Sequence, residues 1–101
     1  MKLQAALYEA VDAALSELGS TLKRSIVSVI EQNTISFRPD YTDIRKIDGV
    51  VRSMLGAGAD VVMYMIYRKL CKNLEVKDYS PTINGTKPLE KILGLLELQA
   101  N

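Results

Sequence analysis

The chain has 101 residues, enough for one domain, and 48% of them are apolar while 25% are charged. A formal net charge of +1 favours neither a nucleic-acid partner nor an acidic one. The absence of His removes the commonest general base and metal ligand, and a single Cys excludes both an internal disulfide and a Cys-rich zinc site. With one Phe and no Trp, the core must be largely aliphatic, which suits packed helices.

The first third of the chain predicts two helices joined by a tight corner at Gly19. Apolar residues recur at helical spacing on both sides of this glycine: Leu3, Leu7, Val11, Ala14 and Leu18, then Leu22, Ile26, Val29 and Ile30. Gly19 supplies a left-handed C-terminal cap, and Ser20 or Thr21 caps the second helix. The alternative is one long helix with Gly19 inside it, at a cost of only ~1 kcal/mol.

Residues 33–40 break the helical pattern. The β-prone stretch 34–37 has no partner strand, and Pro39 forces Arg38 out of the helical region. Asp40 and Thr42 are candidate N-caps of a third helix, with Asp43 as a favourable first-turn charge. Ile44, Ile47, Val51, Met54 and Leu55 mark that helix. Gly49 either weakens it or lets a neighbour approach closely.

The strongest helical period follows the run Leu55-Gly56-Ala57-Gly58-Ala59. Asp60 lies near the start of this fourth helix, which is marked by Ala59, Val62, Met63, Ile66, Leu70 and Leu74. Turn signals at Ser80-Pro81 and Asn84-Gly85 then predict a loop, and Pro88 fits the first turn of a last helix capped by Thr86.

These patterns predict an all-α fold, a compact bundle of four to five short helices completed by dimerisation. We expect a single helical domain over residues 1–101, with a core at 3–74, a loop at 75–87 and a C-terminal helix at 88–98. No signal-peptide pattern and no uninterrupted run of ~18 apolar residues is present, so we expect a cytoplasmic protein without a membrane-spanning helix.

Charge is unevenly distributed between the first and fourth helices. Residues 1–19 carry a net charge of −2, and residues 51–77 carry +3. The two helices can attract one another within a subunit or between two subunits. The alternative is that both charged faces are simply solvated.

The fourth helix carries the candidate interface. Its over-apolar stretch 61–66 places Met63 and Met65 on opposite faces, so one core cannot bury both. An exposed Met suits an adaptable interface. We therefore predict contacts between subunits through Met63, Tyr64, Met65 and Tyr67, the alternative being ordinary packing with the tyrosine hydroxyls at the rim.

Two further sites are candidates. Gly56, Ala57 and Gly58 precede a helix, where backbone N–H groups can bind an anion. No strand precedes them and no Lys-Ser/Thr follows, so a phosphate loop is disfavoured and a structural corner is the competing interpretation. Arg68, Lys69 and Lys72 form a basic face that predicts nucleic-acid contact, or otherwise a solvated helix face.

Nothing in the sequence organises catalysis, and no cofactor is implied. Asp40, Asp43 and Asp48 gather near the start of the third helix, which is a pattern for a metal site or an acid–base pair. The first two are also explained by capping and first-turn charge, and Asp48 is expected on an exposed stripe. Cys71 lies between Lys69 and Lys72, which would lower the pKa of an exposed thiol. A plain helix-face Cys is the competing interpretation.

The stretch from Leu18 to Leu74 resembles a family of small archaeal output domains, the Nitrosopumilus output domain type. The resemblance is carried by Leu18-Gly19-Ser20-Thr21-Leu22-Lys23 with Ile26 and Glu31, and by Leu55-Gly56-Ala57-Gly58-Ala59 with Ile66 and Leu70. It implies an archaeal cytoplasmic domain of a kind often attached to signalling modules. It implies no catalytic residues.

The leading hypothesis is a non-catalytic association module, a homodimer that relays or scaffolds in regulation and signal transduction, with a signalling protein as a further partner. The alternatives are a DNA-binding regulator using the basic face of the fourth helix and a small-anion or ligand sensor at the Gly56–Gly58 corner.

Overall fold

A computed structural model describes residues 2–77 and 87–100 of the chain. The described residues form five α-helices and one short 3-10 turn: α1 (Leu3–Glu17), α2 (Ser20–Gln32), α3 (Ile44–Leu55), the turn Gly56–Gly58, α4 (Ala59–Asn73) and α5 (Pro88–Ala100). The predicted all-α bundle is confirmed. Extended pairing within the described ranges is limited to an isolated antiparallel bridge between Phe37 and Thr42.

Helix α4 is at the centre of the bundle. It contacts α1, α3 and α5, while α2 packs on α1 and α3. The largest fully buried side chains are almost all aliphatic, as the composition predicts: Leu7, Leu15, Ile26, Ile30, Ile47, Met63, Ile66, Leu70, Ile92, Val11 and Val51.

The corner between α1 and α2 depends on Gly19. Its φ of +93° excludes a continuous helix, and its N–H donates to the carbonyl of Ser16 (3.2 Å). The Gly19 carbonyl then accepts the first helical bond of α2 from Lys23 (3.0 Å). Gly19 is therefore the N-cap of α2, and no side chain caps that helix. The prediction of Ser20 or Thr21 as the cap is wrong because Ser20 is already the first helical residue.

The segment between α2 and α3 is tied to α1 rather than to a sheet. Backbone bonds between Arg38 and Tyr41 close a turn, and the Thr42 N–H donates to the Gln4 side-chain oxygen (2.9 Å). The rings of Phe37 and Tyr8 lie 4.8 Å apart between centroids. These contacts fix the direction in which the chain enters α3.

Asp43, and neither Asp40 nor Thr42, caps α3. The Asp43 side chain accepts a hydrogen bond from the Lys46 N–H (3.3 Å). Thr42 is buried, and its hydroxyl donates to the carbonyl of Arg38 (2.9 Å). The predicted cap was placed too early because Asp40 and Thr42 belong to the preceding turn.

Asp40 forms an ion pair with Arg38 on the surface of this turn (3.0 Å). The hydrogen bond from Arg38 holds the pKa of the Asp40 carboxyl below its ordinary value of 3.8. Because the pKa is lower in the folded state, the ion pair stabilises the turn at pH values above the ordinary pKa of the carboxyl. That stabilisation disappears as the pH falls through the lowered pKa.

The Gly56–Gly58 turn needs glycine at its first position only. Gly56 has φ +57° and ψ −127°, whereas Gly58 has φ −65°. A Cβ on Gly56 or on Gly49 would meet nothing within 4 Å, and one on Gly58 would lie at an ordinary 3.7 Å from the Leu55 Cβ. Close approach of a neighbour is therefore not the reason for these glycines. The turn requires glycine at position 56 because of its backbone conformation.

The acidic α1 and the basic α4 are joined within one chain. Glu17 and Lys69 form an ion pair at 2.6 Å, and a second pair at 2.8 Å links Asp12 of α1 to Lys23 of α2. The attraction inferred from the charge distribution is thus intramolecular for Lys69, so this lysine is not simply solvated.

Helix α5 extends to Ala100, where the sequence predicts a helix over 88–98. The predicted loop at 75–87 falls mostly on residues 78–86, which lie outside the described part of the chain. The turn signals at Ser80-Pro81 and Asn84-Gly85 and the Thr86 cap lie there as well.

Counted as one stretch, Ile44–Asn73 spans 30 residues and is long and apolar enough to cross a membrane by length and composition alone. The core helix of a soluble protein passes the same test, and Gly56 bends this stretch in its middle. The expectation of no membrane-spanning helix therefore stays a prediction.

Candidate functional site

The face of α4 that points away from the core is the main candidate site. Its buried side is formed by Ala59, Val62, Met63, Ile66, Tyr67, Leu70 and Cys71. The opposite side carries Val61, which is 64% exposed, with Tyr64 and Met65 partly exposed beside it. Arg68 and Lys72 follow at the next two helical turns and are exposed. We call Val61, Tyr64, Met65, Arg68 and Lys72 the outer face of α4.

Two of the four predicted interface residues do not lie on this face. Met63 is 0% exposed and Tyr67 is 8% exposed, because α4 directs both toward its neighbours in the bundle. The expectation that one core cannot bury both methionines agrees with the partial exposure of Met65. The candidate interface is therefore corrected to Tyr64 and Met65, together with Val61, which the sequence-based candidate set omitted.

An acidic cluster lies at the start of α4. Arg52 donates to Asp48 (3.1 Å) and to Asp60 (2.9 Å), so that one guanidinium bridges α3 and α4. Hydrogen bonds to Asp48, and then to Asp60, raise the pKa of Arg52 above its ordinary value. Asp48 is 9% exposed, which corrects its predicted place on an exposed stripe: pairing with Arg52 compensates its burial. Two carboxylates against one guanidinium leave a net charge of −1 here.

The Gly56–Gly58 corner is exposed but is poorly suited to an anion. Its residues form the 3-10 turn, and the Ala59 N–H is already donated to the Gly56 carbonyl. Asp60 places a carboxylate in the first turn of α4, where an anion would otherwise gain from the helix dipole. The structure therefore favours the interpretation of this segment as a structural corner.

Only two of the three residues predicted to contact nucleic acid are exposed and outside an ion pair in the described part of the chain. Arg68 and Lys72 are exposed on the outer face of α4, but the ammonium of Lys69 is held by Glu17. Two exposed cations near one another, on a chain with a net charge of +1, offer little phosphate neutralisation.

The three carboxylates and the cysteine considered as catalytic or metal-binding candidates are not brought together in the described part of the chain. Asp40, Asp43 and Asp48 are engaged separately, with Arg38, the Lys46 N–H and Arg52. Cys71 is 3% exposed, so the neighbouring lysines do not act on an exposed thiol. Over residues 2–77 and 87–100, no three His, Cys, Asp or Glu side chains come together as metal ligands would.

Surface concavities lie along α2. A groove of about 450 Å³ between α2 and α3 is lined by Val29, Asn33, Ile35, Lys46, Gly49, Val50 and Ser53. It brings together a single charged side chain and no acid–base pair. This groove therefore provides no convergent chemical groups.

Lys91, which the sequence did not single out, packs against two tyrosine rings. Its ammonium lies 5.2 Å from the ring centroid of Tyr64 and 5.6 Å from that of Tyr67. The nitrogen is buried and has no hydrogen-bond partner in the described part of the chain. The available signal is spacing, because Lys91 shares a helical stripe with the buried residues Pro88, Ile92 and Leu95.

Comparisons with known proteins give no identification: no protein-family model, no curated protein and no solved structure matches this chain significantly. The resemblance to archaeal output domains therefore stays a prediction. The class defined by the fold is an all-α helical bundle, and functional arguments rest on its surface.

Proposed function

We propose that this protein is a non-catalytic helical association module that forms a homodimer and relays or scaffolds in regulation. The observation that carries the proposal is the 64% exposure of Val61 on the outer face of α4, beside the partly exposed Tyr64 and Met65. Val61 lies in the first turn of α4, and an apolar side chain of this size gains up to about 1.5 kcal/mol when an interface buries it.

The size of the chain supports the same proposal. A domain of this length buries only about 60–65% of its unfolded surface, so its stability margin is small and association adds to it. A regulatory role in the cytoplasm agrees with the resemblance to archaeal output domains. It also agrees with the structural hydrogen bonds and ion pairs in which the candidate catalytic carboxylates are engaged. A signalling protein would be the further partner of such a dimer.

Light scattering coupled to size-exclusion chromatography tests the proposal over a dilution series. We expect a dimer that Val61→Asp converts to a monomer of unchanged helix content. Leu98→Asp is a matched control, because Leu98 is an apolar residue of similar exposure (68%) that belongs to α5 and not to the outer face of α4. A wild-type monomer at high micromolar concentration would refute the proposal.

DNA contact is the alternative that the exposure of Arg68 and Lys72 keeps open. It predicts retention on heparin at low salt and a salt-dependent shift with duplex DNA, both weakened by Arg68→Gln with Lys72→Gln. Flow-through from heparin at low salt would count against it.

A further inference from the structure

Asp60, beside the outer face of α4 at its start, and Arg68 and Lys72 at its end give this side of the helix opposite charges at its two ends. At its start, Asp60 belongs to the cluster of two carboxylates and one guanidinium, and its side chain is 53% exposed despite the bond to Arg52. At its end, Arg68 and Lys72 are exposed, and no ion pair to either is found in residues 2–77 and 87–100. The centre, from Val61 to Met65, is apolar. This one helix face therefore presents a negative end, an apolar centre and a positive end.

Such a face is complementary to itself in one direction only. Two parallel copies would place Arg68 against Arg68 and the carboxylate clusters against each other, which costs binding energy. Two antiparallel copies related by a twofold axis place each positive end over the other's negative end. With a rise of ~1.5 Å per residue, an axis near Tyr64 and Met65 aligns Arg68 with Val61 of the second copy, next to its Asp60.

We infer that the two α4 helices of the homodimer pack antiparallel across a twofold axis near Tyr64 and Met65. Each Arg68 then reaches Asp60 of the other copy. The inference rests on the proposed homodimer and specifies its surface and orientation. The occupant is a second copy because this side of α4 has a negative end and a positive end, and an antiparallel copy presents the two ends in the opposite order. A uniformly acidic partner would be repelled at Asp60, and a uniformly basic one at Arg68 and Lys72.

Charge reversal tests the ionic part of the interface. Arg68→Glu places two carboxylates together at each end of the dimer, and we expect its dissociation constant to rise about tenfold or more at low salt. Arg45→Glu is the matched control, since Arg45 is an exposed arginine on α3, outside the outer face of α4. Equal effects of the two substitutions would overturn the assignment of Arg68 to the interface.

Disulfide trapping tests the orientation, in a Cys71→Ala background whose helix content is checked first. Met65→Cys should cross-link to itself because it lies beside the axis. Val61→Cys and Arg68→Cys should each fail to do so alone, since like positions lie ~10 Å apart along the helices, and should cross-link when mixed.

The outcomes separate the two proposals. A wild-type monomer removes the homodimer and this inference with it. A dimer in which Met65→Cys does not cross-link, or in which Arg68→Cys cross-links to itself, leaves the association module standing and overturns the antiparallel α4 pairing.

Discussion

At the scale of single residues, Lys91 is the least expected feature. Burial of an ammonium costs several kcal/mol even after relaxation, and a cation–π contact of a desolvated ammonium with one ring returns about 2 kcal/mol. The position is occupied by a cation that has tyrosine rings near it and no hydrogen-bond acceptor in the described residues.

Lys91→Met should therefore raise the free energy of unfolding by about 1 kcal/mol, because methionine retains the packing stem and removes the buried charge. Urea denaturation checks this. Lys87→Met, at an exposed position just before α5, should change the free energy of unfolding by less than about 0.5 kcal/mol. A clear loss of stability in Lys91→Met would mean that the contacts with Tyr64 and Tyr67 outweigh the desolvation cost.

The cap of α3 is a second prediction at the residue scale. Asp43→Ala should lower the free energy of unfolding by about 1 kcal/mol, because it removes the acceptor for the Lys46 N–H. Asp40→Ala should have a smaller effect, since Asp40 is paired on the surface and caps no helix. Thermal melts of the two variants, measured side by side, would contradict the assignment if Asp40→Ala were the more damaging.

At the scale of elements, the connection from α3 to α4 distinguishes two glycines that look equivalent in the sequence. Gly56→Ala should destabilise the fold by about 1–3 kcal/mol, because alanine is strained at φ +57°, ψ −127°. Gly58→Ala should be neutral or stabilising by up to about 1 kcal/mol, because φ is −65° and its Cβ would meet Leu55 at an ordinary distance. Equal losses in chemical denaturation would show that the turn requires both glycines.

At the scale of the whole molecule, association should contribute to stability. When dissociation of the dimer is coupled to unfolding, the midpoint of thermal unfolding rises with protein concentration. Calorimetry over a hundredfold range of concentration should show this for the wild type and for Leu98→Asp. Val61→Asp should unfold at a midpoint independent of concentration, and a concentration-dependent midpoint in that variant would place the interface elsewhere.

The residue pattern predicted the all-α class, an aliphatic core and the corner at Gly19, with one continuous helix as the alternative to the corner. These follow from local physics: apolar residues at steps of three and four, a glycine between two such patterns, and a composition with one Phe and no Trp. Local patterns were less reliable at helix starts. Asp40, Thr42 and Asp43 all suit an N-cap, and only the turn at Arg38–Tyr41 determines which of them does the capping.

The exposure of residues at the edges of the apolar stripes depends on how the helices pack against one another. Periodicity placed Met63 on the apolar stripe of the fourth helix, which agrees with its burial. It could not tell how far Val61 and Met65 would be exposed, because that depends on the positions of α1, α3 and α5 around α4. The i,i+4 spacing of Asp48 and Arg52 on α3 and the helical spacing of Lys91 on α5 are visible in the sequence. Only the packing of neighbouring helices shows that the Asp48 side chain and the Lys91 ammonium are buried.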